Sequence, residues 1–212
     1  MFMVILYFLG GEDLRRRECR EINQRAIAEA GGCPRIMLVP WATPRDKVES
    51  LVKDLQDYYC DELGAREVTV LDKDGGEDRM RSELLGADLV YLPEGNARML
   101  QRALFSSPAR RLLEAYQGVI IGNAEGAQIM CRHSLLLPDQ YSSSYTVIPG
   151  LDLVDFGVIP RYNREMDSFV AEASSGRTVF GVPVGSAVLY GAGIISHMGE
   201  VAMFKQGKRT TL

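Results

Sequence analysis

The sequence predicts an α/β fold in which a largely parallel sheet lies between two layers of helices. Three observations lead to this prediction. Through residues 3–133, short apolar segments rich in β-branched residues alternate with longer amphipathic segments. The 212-residue chain is 46% hydrophobic, which is enough for one sizeable core. After residue 140, further apolar segments are short and are separated by Gly and Ser, which is typical of additional strands.

Strand and helix alternate five times in the first part of the chain. The predicted strands are MVILYFL, RIMLVP, EVTVL, DLVYLP and GVIIG, in chain order. The predicted helices lie near 13–30, 44–63, 77–85, 96–116 and 125–133, where apolar side chains recur at helical spacing. Because each helix carries the chain back to the same end of the sheet, the five strands are expected to be parallel, with helices on both faces.

The remaining segments are expected to extend this sheet, some of them as antiparallel strands. They are GLDLVDFGVIPRY, TVFGVPVGSAVLYGAG and EVAMFKQGKR. Gly75-Gly76 and Ser142–Ser144 are predicted to lie in loops. No internal repeat, low-complexity tract or linker divides the chain, so residues 1–212 are predicted to form a single domain.

Charge and cysteine content exclude several classes of function. A formal charge of -4 and a pI near 5.3 give no general basic field, so nucleic acid is not an expected partner. The four cysteines show neither C-x-x-C spacing nor paired His ligands, so we expect no metal site, no disulfide framework and a cytoplasmic location. The opening MFMVILYFLGG lacks a basic flank and is too short to span a bilayer, so no membrane association is expected.

The window GVIIGNAEGAQIM, residues 118–130, indicates a strand, a tight turn and a helix. It has the spacing of the G-x-S-x-G nucleophile elbow of hydrolases, with Gly122 and Gly126 on either side and Ala124 in the place of the serine. The glycines matter because side chains two positions from the tip of such a turn would clash with the backbone. An ordinary glycine-containing turn explains this window equally well when it is considered alone.

Three windows in the same order resemble one family. LPEGNARMLQRAL at 92–104 resembles its Gly-Gly-Asn loop, GNAEGA resembles its G-x-S-A-G-A elbow, and PGLDLVDFGVIPRY at 149–162 resembles its Gly-Leu…Pro-His-Tyr segment. The family comprises serine peptidases of the dipeptidase E (aspartyl dipeptidase) and cyanophycinase type. The resemblance covers most of the chain, is strongest between 90 and 162, and implies the class I glutamine amidotransferase-like fold.

The resemblance places the family's catalytic triad on two unsuitable side chains. It puts the nucleophilic serine at Ala124, the catalytic histidine at Arg161 and the acidic member near Asp139. Alanine has no heteroatom that could attack a carbonyl, and arginine stays protonated and cannot serve as a base. Activity through the usual triad is therefore not expected. The paired loss favours natural divergence over a single inactivating substitution.

The resemblance also implies which groups bind the ligand. The oxyanion hole would be formed by the backbone N–H groups of Gly95 and Glu125. The loop that contains Gly95 departs from the family pattern at Pro93-Glu94. Asn96 either orients a ligand or caps the following helix. Together with Arg161, the helix end at Glu125 would favour an anion. We therefore expect a small acidic or amino-acid-like ligand, or a short peptide, bound without cleavage and without a cofactor.

Two alternatives of other classes remain open. The chain could be a hydrolase in which Glu125 or Asp139 positions a water molecule. It could also be a regulatory or structural interaction protein, and the amphipathic helices allow a homo-oligomer. Cys131 and His133, both placed on the helix after the elbow, and His197, placed in a turn, are assigned to structure and not to catalysis.

Overall fold

The central sheet is built from the strands expected in the first part of the chain. The structure is a computed structural model that describes residues 4–137 and 145–212. Its first strands are β1 (Ile5–Leu9), β2 (Arg35–Leu38), β3 (Glu67–Val70), β4 (Leu89–Leu92) and β5 (Val119–Asn123). They run parallel in the spatial order β1-β5-β4-β2-β3. The prediction of five parallel strands is confirmed.

The later strands fall into three groups. They are β6 (His133–Leu136), β7 (Thr146–Pro149), β8 (Gly157–Pro160), β9 (Thr178–Val182), β10 (Ala187–Gly191), β11 (Ile194–Met198), β12 (Ala202–Lys205) and β13 (Lys208–Thr211). β10 pairs antiparallel with β1 and β11 pairs antiparallel with β10, so these two extend the central sheet as expected. The others do not, because β13-β12-β9-β8 form a separate mixed sheet and β6 pairs with β7.

Four of the five predicted helical segments are shorter than expected, and the segment at 77–85 has the expected bounds. Because the segment at 96–116 forms two helices and residues 167–173 add one that was not predicted, the described residues form seven α-helices. They are α1 (Arg20–Glu29), α2 (Val48–Leu55, continued by a π-helical turn at Gln56–Cys60), α3 (Glu77–Leu85), α4 (Ala97–Phe105), α5 (Ala109–Glu114), α6 (Glu125–Met130) and α7 (Asp167–Ala173). Every helix in the described ranges is too short or too polar to cross a bilayer.

Two predicted helices end early because side chains compete for the backbone. The helix expected at 96–116 breaks into α4 and α5, since the hydroxyls of Ser106 and Ser107 donate to carbonyls one turn back and Pro108 follows. The helix expected at 125–133 stops at Met130. There the Ser134 hydroxyl donates to the carbonyl of Gln128 at 2.9 Å, which ties the last turn of α6 to β6.

Alternate side chains of each central strand pack against opposite helical layers. On β4, Val90 and Leu92 contact the layer formed by α3 to α6, whereas Leu89 and Tyr91 contact the layer formed by α1, α2 and the π-helical turn. All four side chains are fully buried, as a sheet covered on both faces requires. The chain is therefore a three-layer α/β/α sandwich. The second sheet packs against this core on one face and against α7 on the other.

Two glycines allow α6 to lie against the sheet. A Cβ atom on Gly126 would stand 2.0 Å from the carbonyl oxygen of Leu92, and one on Gly122 would stand 2.6 Å from the backbone of Ala127. Real Cβ atoms do not approach so closely, so both positions require glycine. This close packing holds the intervening Ala124 at φ 48° and ψ -103°, a conformation that residues other than glycine rarely adopt.

Replacement of Gly126 with alanine tests this contact. Helix propensity alone would make Gly126→Ala stabilising by about 1 kcal/mol, because glycine is the weaker helix former. We expect the opposite sign, a loss of about 3 kcal/mol in the free energy of unfolding, because the new methyl group meets a backbone carbonyl. Gly176→Ala is the matched control, since a Cβ there meets nothing within 4 Å. Urea unfolding gives the free energy of unfolding of both variants. Equal values for Gly126→Ala and Gly176→Ala would refute the close-packing argument.

Candidate functional site

A cavity of about 950 Å³ opens at the carboxyl ends of the parallel strands. The loops after β1, β2, β4 and β5 line it, and α2 forms one wall. Ligands of open α/β sheets usually bind at this end, because the loops there diverge from the sheet. The cavity is therefore the candidate ligand-binding site.

Ala124 lies at the tip of the turn between β5 and α6 and is fully buried. Its N–H donates to the carbonyl oxygen of Leu9 at 3.1 Å, and its own carbonyl accepts from the N–H of Gln128 at 3.0 Å. The strand, turn and helix expected here are thus present. The side chain at the tip is a methyl group that can neither donate nor accept a proton.

Arg161 directly follows β8 and reaches across to the elbow. Its backbone, at φ 50°, is anchored by an N–H that donates to the carbonyl of Gly10 at 2.6 Å. The guanidinium donates through Nη1 to Oε1 of Glu125 at 2.8 Å and through Nη2 to Oε2 of Glu94 at 2.5 Å. We call these three residues the Glu94–Arg161–Glu125 cluster.

The cluster keeps the guanidinium charged. Burial lowers the pKa of Arg161, but the hydrogen bond and charge of Glu125, together with those of Glu94, outweigh burial and raise that pKa above its ordinary value. The Arg161 side chain is 43% exposed and that of Glu125 is 21% exposed, so the cluster lies at the edge of the cavity and not in the core. A group held in this state has no lone pair with which to accept a proton.

Glu125 also occupies the backbone donor expected to bind an oxyanion. The N–H of Gly95 donates to Oε2 of Glu125 at 3.1 Å, so both oxygens of this carboxylate accept hydrogen bonds within the protein. The loop around Gly95 is fixed, because a Cβ there would stand 2.3 Å from the carbonyl of Ala42, which also accepts from the N–H of Asn96. A ligand oxygen could reach the Gly95 N–H only by displacing a carboxylate.

The other predicted site residues are distributed differently. Asn96 caps α4, because its Oδ1 accepts from the N–H of Met99 at 3.0 Å, and it does not line the cavity. Of its two expected roles, the structure contains the capping bond. Asp139 lies outside the described residues. Gly95, Glu125 and Arg161 all line the cavity, and Ala124 lies directly beside Glu125.

Cys131, His133 and His197 do not line the cavity. Cys131 caps α6, and burial raises the pKa of its thiol to about 12, so the thiol stays protonated. His133 was expected on the helix after the elbow but lies on β6, because α6 ends at Met130. His197 was expected in a turn but lies on β11, and neither histidine lines the cavity.

The sequence interpretation missed a buried polar network at the base of the cavity. The carboxylate of Glu12 is 4% exposed and accepts from Nδ2 of Asn23 at 2.9 Å through each oxygen. Nδ2 of Asn123 donates to the backbone carbonyl of Glu12 at 3.2 Å. Glu12 lies shortly after β1, and Asn123 is the last residue of β5. Because β1 and β5 are parallel neighbours, the order of the predicted strands already indicated that both residues lie at the carboxyl end of the sheet.

Burial gives Glu12 an unusual proton affinity. Desolvation raises the pKa of Glu12 to about 7 from an ordinary value of 4.5, although the hydrogen bond from Asn23 lowers it in part. Oδ1 of Asn123 and the hydroxyl of Tyr91 belong to two residues that line the cavity beside Glu12; both atoms are buried and have no hydrogen-bond partner among the described residues. Such atoms are costly to leave unpaired, so this end of the cavity is suited to a polar ligand.

No metal site is evident in residues 4–137 and 145–212. No three side chains of the His, Cys, Asp and Glu type come together there in an arrangement that could hold an ion.

Known proteins match this chain over most of its length. The model of peptidase family S51 matches residues 6–193. A crystal structure of a peptidase from an acI-B1 Actinobacterium is 17% identical, with 100% of this chain and 95% of that chain covered and a TM-score of 0.77. A putative peptidase E protein from Listeria monocytogenes EGD-e is 20% identical, with 92% and 98% covered and a TM-score of 0.69. No curated protein matches. The two structures support the fold.

The pH dependence of stability tests the burial of Glu12. Because its folded pKa of about 7 exceeds the ordinary 4.5, the folded chain holds the proton more tightly. The contribution of Glu12 to stability is then fully present below about pH 4.5 and is lost as the pH rises through 7. The free energy of unfolding, measured in urea between pH 5 and 8, should fall by up to about 3 kcal/mol relative to Glu12→Gln. The exposed control Glu21→Gln should follow wild type, and parallel curves for wild type and Glu12→Gln would contradict the burial.

A double-mutant cycle tests the cluster. We expect Arg161→Gln and Glu125→Gln to show a coupling of about 1 kcal/mol in the free energy of unfolding, because the pair is partly desolvated. The coupling should shrink as salt is added. The more exposed pair Arg132–Asp152, at 2.7 Å, is the control and should give about 0.3 kcal/mol. Equal couplings for the two pairs would mean that the cluster is only a surface ion pair.

Proposed function

Because the chain belongs to peptidase family S51, we propose that it is a non-hydrolytic homologue of the dipeptidase E and cyanophycinase type of serine peptidase, which binds a small amino-acid-like ligand without cleaving it. The observation that carries the proposal is the Glu94–Arg161–Glu125 cluster. It occupies the place at which the family resemblance puts the catalytic base and one oxyanion donor.

Three requirements of acyl transfer are unmet at this place. The nucleophile position holds the methyl group of Ala124. The base position holds Arg161, whose guanidinium stays protonated. The donor at Gly95 is occupied by Oε2 of Glu125, so a negative charge developing on a substrate oxygen would meet a carboxylate where it needs a free N–H. The nucleophile and the base are missing at two different residues, Ala124 and Arg161, which is why a single compensating substitution would not supply the chemistry.

The alternative hydrolase would need a water molecule and a base. Both oxygens of Glu125 already accept hydrogen bonds, from Arg161 and from Gly95, so Glu125 is poorly placed to take a proton from water. Asp139 is the other candidate base and lies outside the described residues. The non-hydrolytic proposal is therefore favoured at the elbow, and an assay of turnover covers Asp139 as well.

The proposal includes a reducing, cytoplasmic setting. Cys19, Cys33, Cys60 and Cys131 are all free thiols. Free thiols, one of them exposed at Cys33, are suited to a compartment that keeps cysteines reduced.

Assay of turnover tests the proposal directly. We expect wild type and Ala124→Ser to release no aspartate from Asp-Xaa dipeptides, because a serine without a base is a weak nucleophile. Any gain of cleavage is confined to the double variant Ala124→Ser with Arg161→His, which supplies both a nucleophile and a base. Released aspartate is quantified by chromatography, with an active dipeptidase E as the positive control and circular dichroism to show that each variant is folded. The proposal would be overturned by dipeptidase activity that co-elutes with the wild-type protein in size-exclusion chromatography.

A further inference from the structure

The cavity carries an excess of negative charge. Among the described residues that line it, six are acidic and two, Lys47 and Arg161, are basic. The acidic residues are Glu12, Asp13, Glu18, Asp54, Glu94 and Glu125. A cleft lined by one sign of charge concentrates ligands of the opposite sign, because its low-dielectric walls focus the field.

Most of these charges are already paired within the protein. Arg161 is shared by Glu94 and Glu125, and Asp54 pairs with Arg15 at 3.1 Å. Asp13 contacts Arg16 at 3.4 Å. The structure contains no ion pair for Glu12 or Glu18 within residues 4–137 and 145–212, and the charge of Glu18 contributes, after burial, to the raised pKa of Glu12. The two lining carboxyl groups that have no ion pair among the described residues therefore lie at the same end of the cavity, around Glu12.

The same end holds the polar atoms that lack partners. Oδ1 of Asn123, on a residue that is 2% exposed, can only accept a hydrogen bond, and the fully buried hydroxyl of Tyr91 can accept or donate. Asn123 is held against Glu12, because its Nδ2 donates to the Glu12 carbonyl at 3.2 Å. An ammonium group offers three donors and no acceptor, and so complements a carboxylate, an amide oxygen and a hydroxyl oxygen.

An anion finds no comparable partner here. Both ends of the Arg161 guanidinium and the N–H of Gly95 are occupied by the protein's own carboxylates. Lys47 is the remaining basic side chain that lines the cavity among the described residues, and it is exposed at the residue that precedes α2. The acidic ligand expected from the family resemblance is thus disfavoured by the charges around the cavity.

We propose that the cavity binds an organic cation through a primary ammonium group, which is received by Glu12, Asn123 and Tyr91 and attracted by Glu18. The ligand class is a small amine without a carboxylate, such as an aliphatic diamine or an amino-acid amide. This inference narrows the amino-acid-like ligand of the proposed function to one that has the ammonium group and lacks the carboxylate, and it rests on that function in one respect, namely that the cavity binds its ligand without hydrolysis.

The ionisation of Glu12 gives the binding a characteristic pH dependence. The groups that face Glu12 are Glu18, Arg17 and Cys19 from the loop before α1, Asn23 on α1, Tyr58 and Tyr59 on the π-helical turn, and Tyr91 on β4. Burial raises the pKa of Glu12 to about 7. An ammonium beside it favours the carboxylate, so the amine should bind more tightly at pH 8 than at pH 6 and should release a proton on binding near neutral pH.

Isothermal titration calorimetry at physiological salt tests the proposal with two probes of equal chain length. Putrescine should bind in a saturable manner, and the four-carbon diacid succinate should not. Glu12→Gln should weaken putrescine binding by about tenfold or more, because a charged hydrogen-bond partner is lost. Glu18→Gln, an exposed change that poses little risk to folding, should weaken it by about threefold. Glu172→Gln on α7 removes the same charge far from the cavity and should leave the affinity unchanged.

Each remaining outcome counts against the inference. Absence of putrescine binding would overturn it, as would succinate binding at least as tightly. If Glu172→Gln weakens putrescine binding as much as Glu18→Gln does, the attraction belongs to the whole acidic surface and the site is refuted. If Glu12→Gln does not fold, the Glu18→Gln affinity and the rise in affinity from pH 6 to 8 decide. Turnover of dipeptides is measured separately, so a hydrolytic chain that binds amines would disprove the proposed function alone.

Discussion

Helix α6 lies closer to the central sheet than most helices can, because glycine occupies both positions at which a side chain would strike the backbone. The carbonyl of Leu92 occupies the space that a Cβ of Gly126 would need, and Ala127 occupies that of Gly122. This approach brings the start of α6 beside the loop after β4 and fixes the chain at Ala124 in a left-handed conformation. The position of Glu125, and therefore the cluster that Glu125 forms with Arg161, depends on it.

The cluster joins parts of the chain that belong to different layers. Arg161 follows β8 in the second sheet, Glu94 lies on the loop after β4 of the central sheet, and Glu125 begins α6. Glu94 and Glu125 keep the Arg161 guanidinium protonated, Glu125 occupies the Gly95 donor, and the two carboxylates add to the negative field of the cavity. Electrostatics therefore links the proposed loss of hydrolysis to the proposed preference for cations, since the protein's own carboxylates fill the places where an anionic ligand would bind.

The sequence predicted the parts of this structure that depend on local pattern. Alternating apolar segments predicted the five parallel strands, and the family resemblance predicted that residues 95, 124, 125 and 161 lie together; three of them line the cavity and Ala124 precedes Glu125. It failed where side chains bond to backbone, as at Ser106 and Ser134, because such bonds end helices whose apolar periodicity continues. The contact of Glu12 with Asn123 joins residues 111 positions apart, and the direction of the Glu125 side chain depends on its rotamer. Neither leaves a periodic trace in the sequence.

The backbone conformation at Ala124 shows which residues the turn depends on. Its positive φ costs an alanine about 1 kcal/mol, and the packing of α6 on the sheet offsets this cost, whereas the side chain at the tip contributes no hydrogen bond of its own. The fold at residue 124 therefore depends on the glycines around it and not on a bond made by its side chain. The scaffold thus constrains the shape of the backbone at residue 124 and makes no use of a reactive group in its side chain.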